Sequence, residues 1–197
     1  MKTPRYWMHR GAISHLLLPF SWLYYLGQAI AAWRAPAPWP APCPVIAIGN
    51  LTAGGAGKTP TTLALVPVLR ELGYTPHILT RGYRATPKKT AHRVTAQDTA
   101  YTVGDEALLL AQAAPTWVGA DRAASARAAC AAGATVLLCD DALQHRRLQK
   151  DLSLLIIDGP YGFGNQRLLT AGPLREPITS GIAKADAVVL IGPQAFP

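Results

Sequence analysis

Cysteine is scarce in this 197-residue chain, and its spacing does not fit a metal centre. The three cysteines, an odd number, lack the paired spacing that zinc sites use. Two of them, Cys130 and Cys139, lie within apolar runs. We interpret all three, Cys43 included, as buried, reduced thiols of a cytosolic protein.

Acidic side chains are also few. Eleven Asp and Glu residues stand against 19 Lys and Arg, so that the net charge is +8 and the isoelectric point is about 9.7. This balance favours acidic partners, either nucleic acid or an anionic membrane face. Because the chain has no motif of interleaved aromatic and basic residues, a nucleic-acid function would depend on charge alone. We therefore predict no nucleic-acid partner.

One long hydrophobic segment is present, and it lies near the N-terminus. Residues 11–33 are rich in Leu, Ile, Trp and Tyr, and Ser14, Ser21 and Gln28 form a polar stripe with a spacing of seven. Basic residues flank the segment: Lys2, Arg5, Arg10 and Arg34. Four interpretations stay open. They are a helix or kinked helical hairpin on a membrane surface, which we favour, a membrane span, a helix packed as core and a cleaved signal peptide.

A proline-rich stretch follows, with proline at every second position from 36 to 44. Proline cannot continue a helix, and the residue before it favours extended backbone. We therefore predict three parts: a membrane-associating helical segment at 1–34, a semi-rigid spacer at 35–44 and a core domain at 45–197.

The core begins with a glycine-rich loop in the stretch "GNLTAGGAGKTP". An apolar run at 44–48 is typical of a buried strand, and apolar residues recur at helical spacing from 63 to 69. Strand, glycine-rich loop and helix are the context that a phosphate-binding loop requires. The usual pattern, G-x-x-x-x-G-K-[ST], ends at residues 57–59, but Thr52 occupies the position of its first glycine.

Such a loop binds phosphate through backbone amides, which glycines allow to turn inward, and through the partial positive charge of the helix N-terminus. Lys58 would reach the β- and γ-phosphates, and the Thr59 hydroxyl would bind magnesium. The alternative is an ordinary glycine turn before a helix. The predicted nucleotide-binding residues are Thr52, Ala53, Gly54, Gly55, Ala56, Gly57, Lys58 and Thr59.

Apolar strands alternate with helices along the rest of the chain. We predict strands at 77–80, 116–120, 135–139, 152–159 and 185–192. A helix is expected after Asp121, which is a suitable N-cap. The alternation predicts an α/β fold of the P-loop NTPase type, a parallel sheet with helices on both faces. Ligands of such sheets bind at the carboxyl ends of the strands, where Arg81, Asp140, Asp141 and Asp158 are expected.

Three carboxylates are candidates for the chemistry. Asp140 and Asp141 follow a fully apolar strand, and a carboxylate there beside a phosphate loop usually holds Mg²⁺; the alternative is a polar strand end. Asp105 precedes an apolar helical stretch. It is either a stabilising charge at a helix N-terminus or a base that takes a proton from an attacking hydroxyl.

Basic candidates are less specific. His145 lies within one turn of the aspartate pair and either orients an aspartate or caps a loop. Arg81 and Arg175 either neutralise a transferring phosphate or are solvated surface residues.

Taken together, six stretches resemble the tetraacyldisaccharide 4′-kinase family, the lipid A 4′-kinases. In order, they are "GNLTAGGAGKTP", "LTRGYR", "VGDEALLL", "CDDALQHRRLQKDLSLLIIDG", "GFGNQRLLTAGPLREP" and "ADAVVLIG". The resemblance covers essentially the whole chain, and the DD-x-x-Q-H and G-N-x-x-L-x-x-A-G-x-L-R-E blocks are its specific parts. That family usually carries Ser or Thr where this chain has Thr52.

The resemblance implies transfer of a phosphate from ATP, with Mg²⁺, to the 4′-hydroxyl of a tetraacylated glucosamine disaccharide 1-phosphate. It implies a peripheral or monotopic enzyme on the cytoplasmic face of the inner membrane of Gram-negative bacteria. By motif match, Lys58 and Thr59 would bind ATP and magnesium, and Asp140 would be a further metal ligand. The implied catalytic residues are Asp105 as the base, Asp141, His145 and Arg175.

The chain departs from that family at three points. Ala142 follows the aspartate pair where glycine is usual, and "RGYR" replaces the commoner arginine-glycine-tyrosine-glycine. Family members are also longer, and their C-terminal part carries a histidine thought to assist the base. We therefore expect the N-terminal part of a longer protein, poorly active by itself.

The main rival function is a nucleotide-driven switch, an ATPase or GTPase that acts on a protein partner at a membrane surface. Its glycine-rich loop looks similar, but it would hydrolyse nucleotide with water and would need no acceptor pocket.

Overall fold

The computed structural model describes residues 4–82 and 91–194; Lys2 of the basic flank and Arg84 of "RGYR" lie outside them. The helices are α1 (Ala12–Leu16), α2 (Leu18–Trp33), α3 (Lys58–Glu71), α4 (Ala100–Val103), α5 (Asp105–Ala113), α6 (Arg122–Ala131) and α7 (Ile178–Ile182). The strands are β1 (Val45–Gly49), β2 (Pro76–Thr80), β3 (His92–Arg93), β4 (Thr116–Val118), β5 (Val136–Asp140), β6 (Leu152–Asp158) and β7 (Ala187–Ile191). The described residues form an α/β fold, as predicted.

The chain divides into two compact units. The five-strand unit comprises Pro36–Gly49 and Lys58–Ser153. The N-terminal unit comprises Met1–Ala35, Asn50–Gly57 and Leu154–Pro197.

The five-strand unit is built on a sheet of order β3-β4-β2-β5-β1. Strands β4, β2, β5 and β1 pair in parallel, which confirms the predicted parallel sheet. Every residue of β2 and β5 is buried, because both strands lie inside the sheet with helices on its faces. Strand β3 pairs antiparallel to β4 at the edge and was not predicted, since it is only two residues long.

Helices cover both faces of this sheet. Trp117 packs in one cluster with Ala126 and Ala129 of α6, whereas its neighbour Val118 packs with Ala107 of α5. Successive strand residues point to opposite faces, so α6 and α5 lie on opposite sides. Asp121 caps α6 as predicted, because its carboxylate accepts hydrogen bonds from the backbone N–H groups of two residues in the first turn.

In the N-terminal unit, β6 and β7 form a parallel pair, and helices α1 and α2 pack through their polar stripe. Ser14 Oγ donates to Ala171 O at 2.7 Å and Ser21 Oγ donates to Leu168 O at 3.0 Å. Gln28 Nε2 completes the stripe by donating to a backbone carbonyl at 3.2 Å. The polar side of this segment therefore faces protein.

The apolar side of the same helices is exposed. Large side chains with at least two fifths of their surface accessible are Ile13, Leu16, Phe20, Trp22, Leu23, Tyr25, Leu26, Ile30 and Trp33. The usual orientation of an amphipathic helix on a soluble domain is thus reversed here. No helix within the described residues combines the length and the apolar character that crossing a membrane requires.

The structure also shows where the strands end. Asp140 is the last residue of β5, Asp158 is the last residue of β6, and Arg81 directly follows β2. Each therefore lies at the carboxyl end of its strand, as predicted.

Candidate functional site

Thr52, which replaces the first glycine of the phosphate-loop pattern, fits its position without strain. The residue is 6% exposed, and Asn50 Nδ2 donates to its backbone O at 2.9 Å and to its Oγ1 at 3.2 Å. It is not among the described non-glycine residues that have a positive φ. A Cβ is therefore tolerated here. Gly54 and Gly57, with φ of 134° and 84°, adopt the backbone conformations that require glycine.

The first half of the loop is bound to a distant stretch of the N-terminal unit. Thr52 forms an antiparallel bridge with Leu174, and Ala53 N donates to Pro173 O at 2.7 Å. Arg175 N donates to the carbonyl of the residue before Thr52 at 2.7 Å. The backbone of Arg175 thus supports the loop, while the glycines at 54 and 55 remain exposed.

In the five-strand unit, Lys58 and Thr59 open α3. Lys58 Nζ lies 3.6 Å from Asp141 Oδ1, so the structure joins two of the predicted site residues. Thr62, one turn further along α3, donates to Lys58 O at 3.1 Å and approaches Asp140 Oδ1 at 3.5 Å. The first turn of α3 therefore packs against the tip of β5, where both aspartates lie.

Asp140 is a buried carboxylate with little compensation. It is 2% exposed, and burial raises its pKa to about 6, against the lowering effect of Lys58 and with support from the charges of Asp141 and Glu106. A buried anion of this kind is stabilised by a bound cation. The arrangement favours a metal ligand over an ordinary polar strand end.

Asp141 adopts a left-handed backbone conformation, with φ of 52°, which is rare outside glycine but tolerated by Asp and Asn. The next residue, Ala142, is buried and donates its N–H to Ile48 O at 3.0 Å. This bond holds the turn close to β1, so the alanine fits where related sequences usually have glycine. The fixed turn aims Asp141 at Lys58.

Arg122 belongs to the same site, and sequence reasoning missed it. Its side chain is 3% exposed, Nη1 donates to Gly119 O at 3.0 Å and Nη2 donates to Asp140 O at 3.3 Å. One guanidinium therefore ties the end of β4 to the end of β5, directly before the turn of Asp141. The available signal was its place, since it directly follows a helix N-cap at the carboxyl end of a strand.

His145 is a neutral member of this cluster. Burial, together with the charges of Arg122, Lys150 and Arg147, lowers its pKa to about 4. Its ring Nδ1 is buried without a hydrogen-bond partner within the described residues. Its backbone N–H donates to Ala142 O at 3.0 Å. At pH 7 the imidazole is uncharged, and its backbone belongs to the turn that carries Asp141.

Asp105 and Glu106 are the first two residues of α5 and both are exposed. The charge of Glu106 is one of those that raise the pKa of Asp140, which places this carboxylate near the tip of β5. Both interpretations of Asp105, as helix N-terminal charge and as base, therefore stay open, and its neighbour becomes an informative control.

The donor set fits Mg²⁺ bound together with phosphates. Within residues 4–82 and 91–194, no group of three or more His, Cys, Asp or Glu side chains could hold a metal. Mg²⁺, however, is commonly held by one or two carboxylates plus the oxygens of a bound phosphate. Asp140 and the Thr59 hydroxyl supply what such a site needs from the protein.

Asp140 also gives a prediction about stability. Consider a carboxyl whose pKa is higher in the folded chain than in the unfolded chain. It stabilises the fold when the pH is below its pKa in the unfolded chain, and this contribution is lost as the pH rises through its pKa in the folded chain. From 3.8 to about 6, the difference corresponds to about 3 kcal/mol. In metal-free buffer, Asp140→Asn should therefore raise the free energy of unfolding by about 3 kcal/mol at pH 7.

The measurement is denaturant unfolding of both proteins from pH 4 to pH 8. Because the two proteins differ only at residue 140, the difference in the free energy of unfolding reports Asp140 together with its coupling to neighbouring charges, and it should shrink below about 1 kcal/mol at pH 4. A difference that is independent of pH, or that grows toward acid, contradicts the burial of an uncompensated carboxylate.

Comparison with known proteins gives one consistent result. A family model described as Tetraacyldisaccharide-1-P 4′-kinase matches residues 13–196. The tetraacyldisaccharide 4′-kinase of Rhodospirillum centenum is 48% identical over 199 residues, which cover 98% of this chain and 58% of that protein. The protein of the same name from Gluconacetobacter diazotrophicus is 50% identical over 194 residues, which cover 98% of this chain and 59% of that protein.

Among solved structures, the crystal structure of LpxK from Aquifex aeolicus in complex with ATP is similar, with a TM-score of 0.80 and 31% identity. The match covers 94% of this chain and 62% of that one. The chain thus spans less than two thirds of the length of these relatives, and the likeness confirms the α/β fold.

Proposed function

The chain belongs to the tetraacyldisaccharide-1-P 4′-kinase family, and from this premise we propose that the whole protein transfers the γ-phosphate of ATP to the 4′-hydroxyl of a tetraacyldisaccharide 1-phosphate. The supporting observation is the ion pair of Lys58 with Asp141 at 3.6 Å, beside the buried carboxylate of Asp140. Phosphoryl transfer depends on positioning and on neutralising charge more than on covalent chemistry by the protein. A lysine held at the start of α3 is suited to that task.

Each residue has a distinct role in this proposal. Lys58 binds the β- and γ-phosphates, and Asp141 holds the lysine in place. Thr59 and Asp140 would hold Mg²⁺, which would neutralise the charge of the phosphates. Asp105 accepts the proton of the attacking hydroxyl.

The remaining residues of the proposal support this group. The loop at 52–57 offers backbone N–H groups to the phosphates. Arg175 neutralises charge near the reacting groups, and its backbone supports the loop. His145, which is neutral at pH 7, acts on the turn of Asp141 and carries no charge to the phosphate.

We further propose that α1 and α2 bring the protein to the cytoplasmic face of the bacterial inner membrane as a peripheral or monotopic anchor. Their polar stripe is satisfied by protein carbonyls, while Trp22 and Leu23 expose 71% and 67% of their surface. Exposed apolar side chains on a basic-flanked helix suit the bilayer interface. In this proposal residues 1–34 are the membrane segment, 35–44 the spacer and 45–197 part of the kinase core.

A variant of the exposed side should separate membrane binding from folding. Trp22→Ser combined with Leu23→Ser removes two accessible apolar side chains, each worth about 1 kcal/mol or more at an interface. We expect the affinity of the full-length protein for phospholipid vesicles to fall at least about tenfold in a flotation assay. Tyr101→Ser, which changes an aromatic residue 79% exposed in the five-strand unit, is the control and should bind normally. Equal binding by all three proteins would contradict the proposed surface.

The function itself is tested with the full-length protein, ATP labelled on the γ-phosphate, Mg²⁺ and the detergent-dispersed disaccharide lipid. The proposal expects label on the lipid, in an amount that depends on acceptor concentration. If the label appears only as inorganic phosphate, with or without the acceptor, the nucleotide-driven switch is the better account.

A further inference from the structure

Two guanidinium groups connect the N-terminal segment with the short stretch 165–167, and the proposed phosphoryl transfer does not use them. Arg10 Nε donates to Asn165 O at 3.2 Å, and Arg10 Nη2 donates to Gln166 Oε1 at 3.4 Å. Arg167 Nη1 donates to Ser14 Oγ at 3.1 Å. Both side chains are therefore held on the segment that also receives the polar stripe of α1 and α2.

The anchor is rigid because Asn165 is buried and fully bonded. It is 4% exposed, and its Nδ2 lies within hydrogen-bond distance of Tyr6 O, Ser14 Oγ and Ala171 O, at 3.0, 3.0 and 2.9 Å. Its Oδ1 accepts from Arg167 N at 3.0 Å. A single amide thus fixes both the helical segment and the backbone of Arg167.

His15 orients Arg167 without neutralising it. His15 Nδ1 lies 3.0 Å from Gly11 O, a carbonyl that only an N–H can satisfy. With the ring proton on Nδ1, the imidazole donates to Gly11 O, and Nε2 accepts from Arg167 Nη2 at 2.8 Å. In this arrangement His15 is a hydrogen-bond acceptor that orients the guanidinium of Arg167.

The two arginines have no acidic partner among the residues that the structure describes. Every hydrogen-bond partner just described is neutral, and no carboxylate of residues 4–82 or 91–194 forms an ion pair with Arg10 or Arg167. Exposed apolar side chains surround His15 in sequence: Ile13 is 57% exposed and Leu16 is 76% exposed. Cations beside an exposed apolar face are typical of a surface that meets phosphate headgroups above acyl chains.

We propose that Arg10 and Arg167 form a binding site for the phosphate group of an anionic membrane phospholipid, next to the apolar side of α1 and α2. Guanidinium groups bind phosphate oxygens in pairs and with fixed geometry. The hydrogen bonds of Arg10 to residues 165 and 166, and those of Arg167 to Ser14 and His15, pre-organise both. The inference extends the proposed membrane-facing role of α2 and adds selection of the lipid by charge. It involves neither ATP nor the disaccharide.

The test is vesicle flotation of the full-length protein without ATP or sugar lipid. One set of vesicles is neutral phosphatidylcholine, and the other contains about one third phosphatidylglycerol. Each arginine at an anionic surface contributes about fivefold in affinity. Arg10→Gln combined with Arg167→Gln should therefore lose about 25-fold on the anionic vesicles and should bind neutral vesicles like the wild type.

Two control variants separate the site from general charge and from misfolding. Arg93→Gln with Arg127→Gln removes the same charge from exposed positions of the five-strand unit and should change anionic binding less than about twofold. Arg10→Lys with Arg167→Lys keeps the charge but not the paired hydrogen bonds of the guanidinium groups, and it should retain only part of the anionic preference.

If both pairs of glutamine substitutions lower the affinity for anionic vesicles equally, the proposal is overturned in favour of non-specific electrostatic attraction. A loss on neutral vesicles as well overturns it in favour of a structural role. If the wild type binds both kinds of vesicle equally, the proposed phosphate site is wrong, but the proposed apolar anchor of α1 and α2 is retained. If the wild type binds neither, the proposed membrane surface fails with it, whereas the kinase assay stays unaffected.

Discussion

Lys58→Met should lower kcat/KM for phosphorylation of the lipid by about a thousandfold, the size expected when a positioned charge is removed from a transferring phosphate. The lysine is the one cation that the loop pattern assigns to the β- and γ-phosphates. In the folded chain its Nζ lies 3.6 Å from Asp141. Its charge also lowers the pKa of Asp140, so its loss should weaken the metal site as well.

Steady-state kinetics with varied ATP and varied lipid is the measurement, with nucleotide binding followed by calorimetry. Lys184→Met is a matched control, because Lys184 forms an ion pair with Glu176 and the loop pattern assigns it no phosphate; it should leave kcat/KM within about twofold. Lys58→Arg keeps the positive charge but replaces the compact ammonium group with a planar guanidinium, so it should retain only part of the wild-type activity. Near-normal turnover by the methionine variant would contradict the assignment of the loop.

Asp105→Asn should lower kcat for lipid phosphorylation by about a thousandfold, within the range that general bases contribute. The substitution keeps the size of the side chain and its place at the first turn of α5, but the amide cannot accept the proton of the hydroxyl. ATP binding should change by less than about threefold, because the base acts on the acceptor and not on the nucleotide.

Glu106→Gln is the matched control for this prediction. Glu106 is the next residue, is equally exposed, and its charge reaches Asp140. We expect its substitution to lower the pKa of Asp140 and to reduce kcat much less than Asp105→Asn does. If the two effects are reversed, the base is Glu106, and the assignment that the family motif implies for Asp105 is wrong in this chain.

The strands show how far sequence alone leads. Unbroken apolar runs such as 136–139 predicted buried parallel strands, because no other element of that length hides both faces. Asp121 was predicted as a helix N-cap because the chemistry of a cap is local. Strand β3 could not be predicted, since two residues carry no periodicity and their pairing with β4 depends on the tertiary structure.

Only those residues of the candidate site that belong to a sequence motif could be predicted from the sequence. Lys58, Asp140 and Asp141 stand at fixed places relative to a loop or a strand end. Arg122 is one of two arginines in an alanine-rich helix, and its place after an N-cap does not by itself indicate that it is buried or that it binds the carbonyl of Asp140. The choice between Asp105 and Glu106 depends on where two adjacent side chains point, which spacing does not encode.

The N-terminal segment has one feature that a local pattern predicts and one that depends on the tertiary structure. The stripe of Ser14, Ser21 and Gln28 indicated a helix with one polar side. Its partners lie about 150 residues further along the chain, and no local pattern connects them. The membrane-surface helix that the sequence favoured already implies an apolar side that faces away from the protein, and the structure adds the carbonyls that bind the polar side.

The most direct measurement is a crystal structure of the full-length protein with Mg²⁺ and a non-hydrolysable ATP analogue. The account predicts an oxygen of the β- or γ-phosphate within about 3 Å of Lys58 Nζ, with the metal bound to Thr59 Oγ1 and near Asp140. A triphosphate seated elsewhere, with the ion pair of Lys58 and Asp141 unchanged, would contradict it.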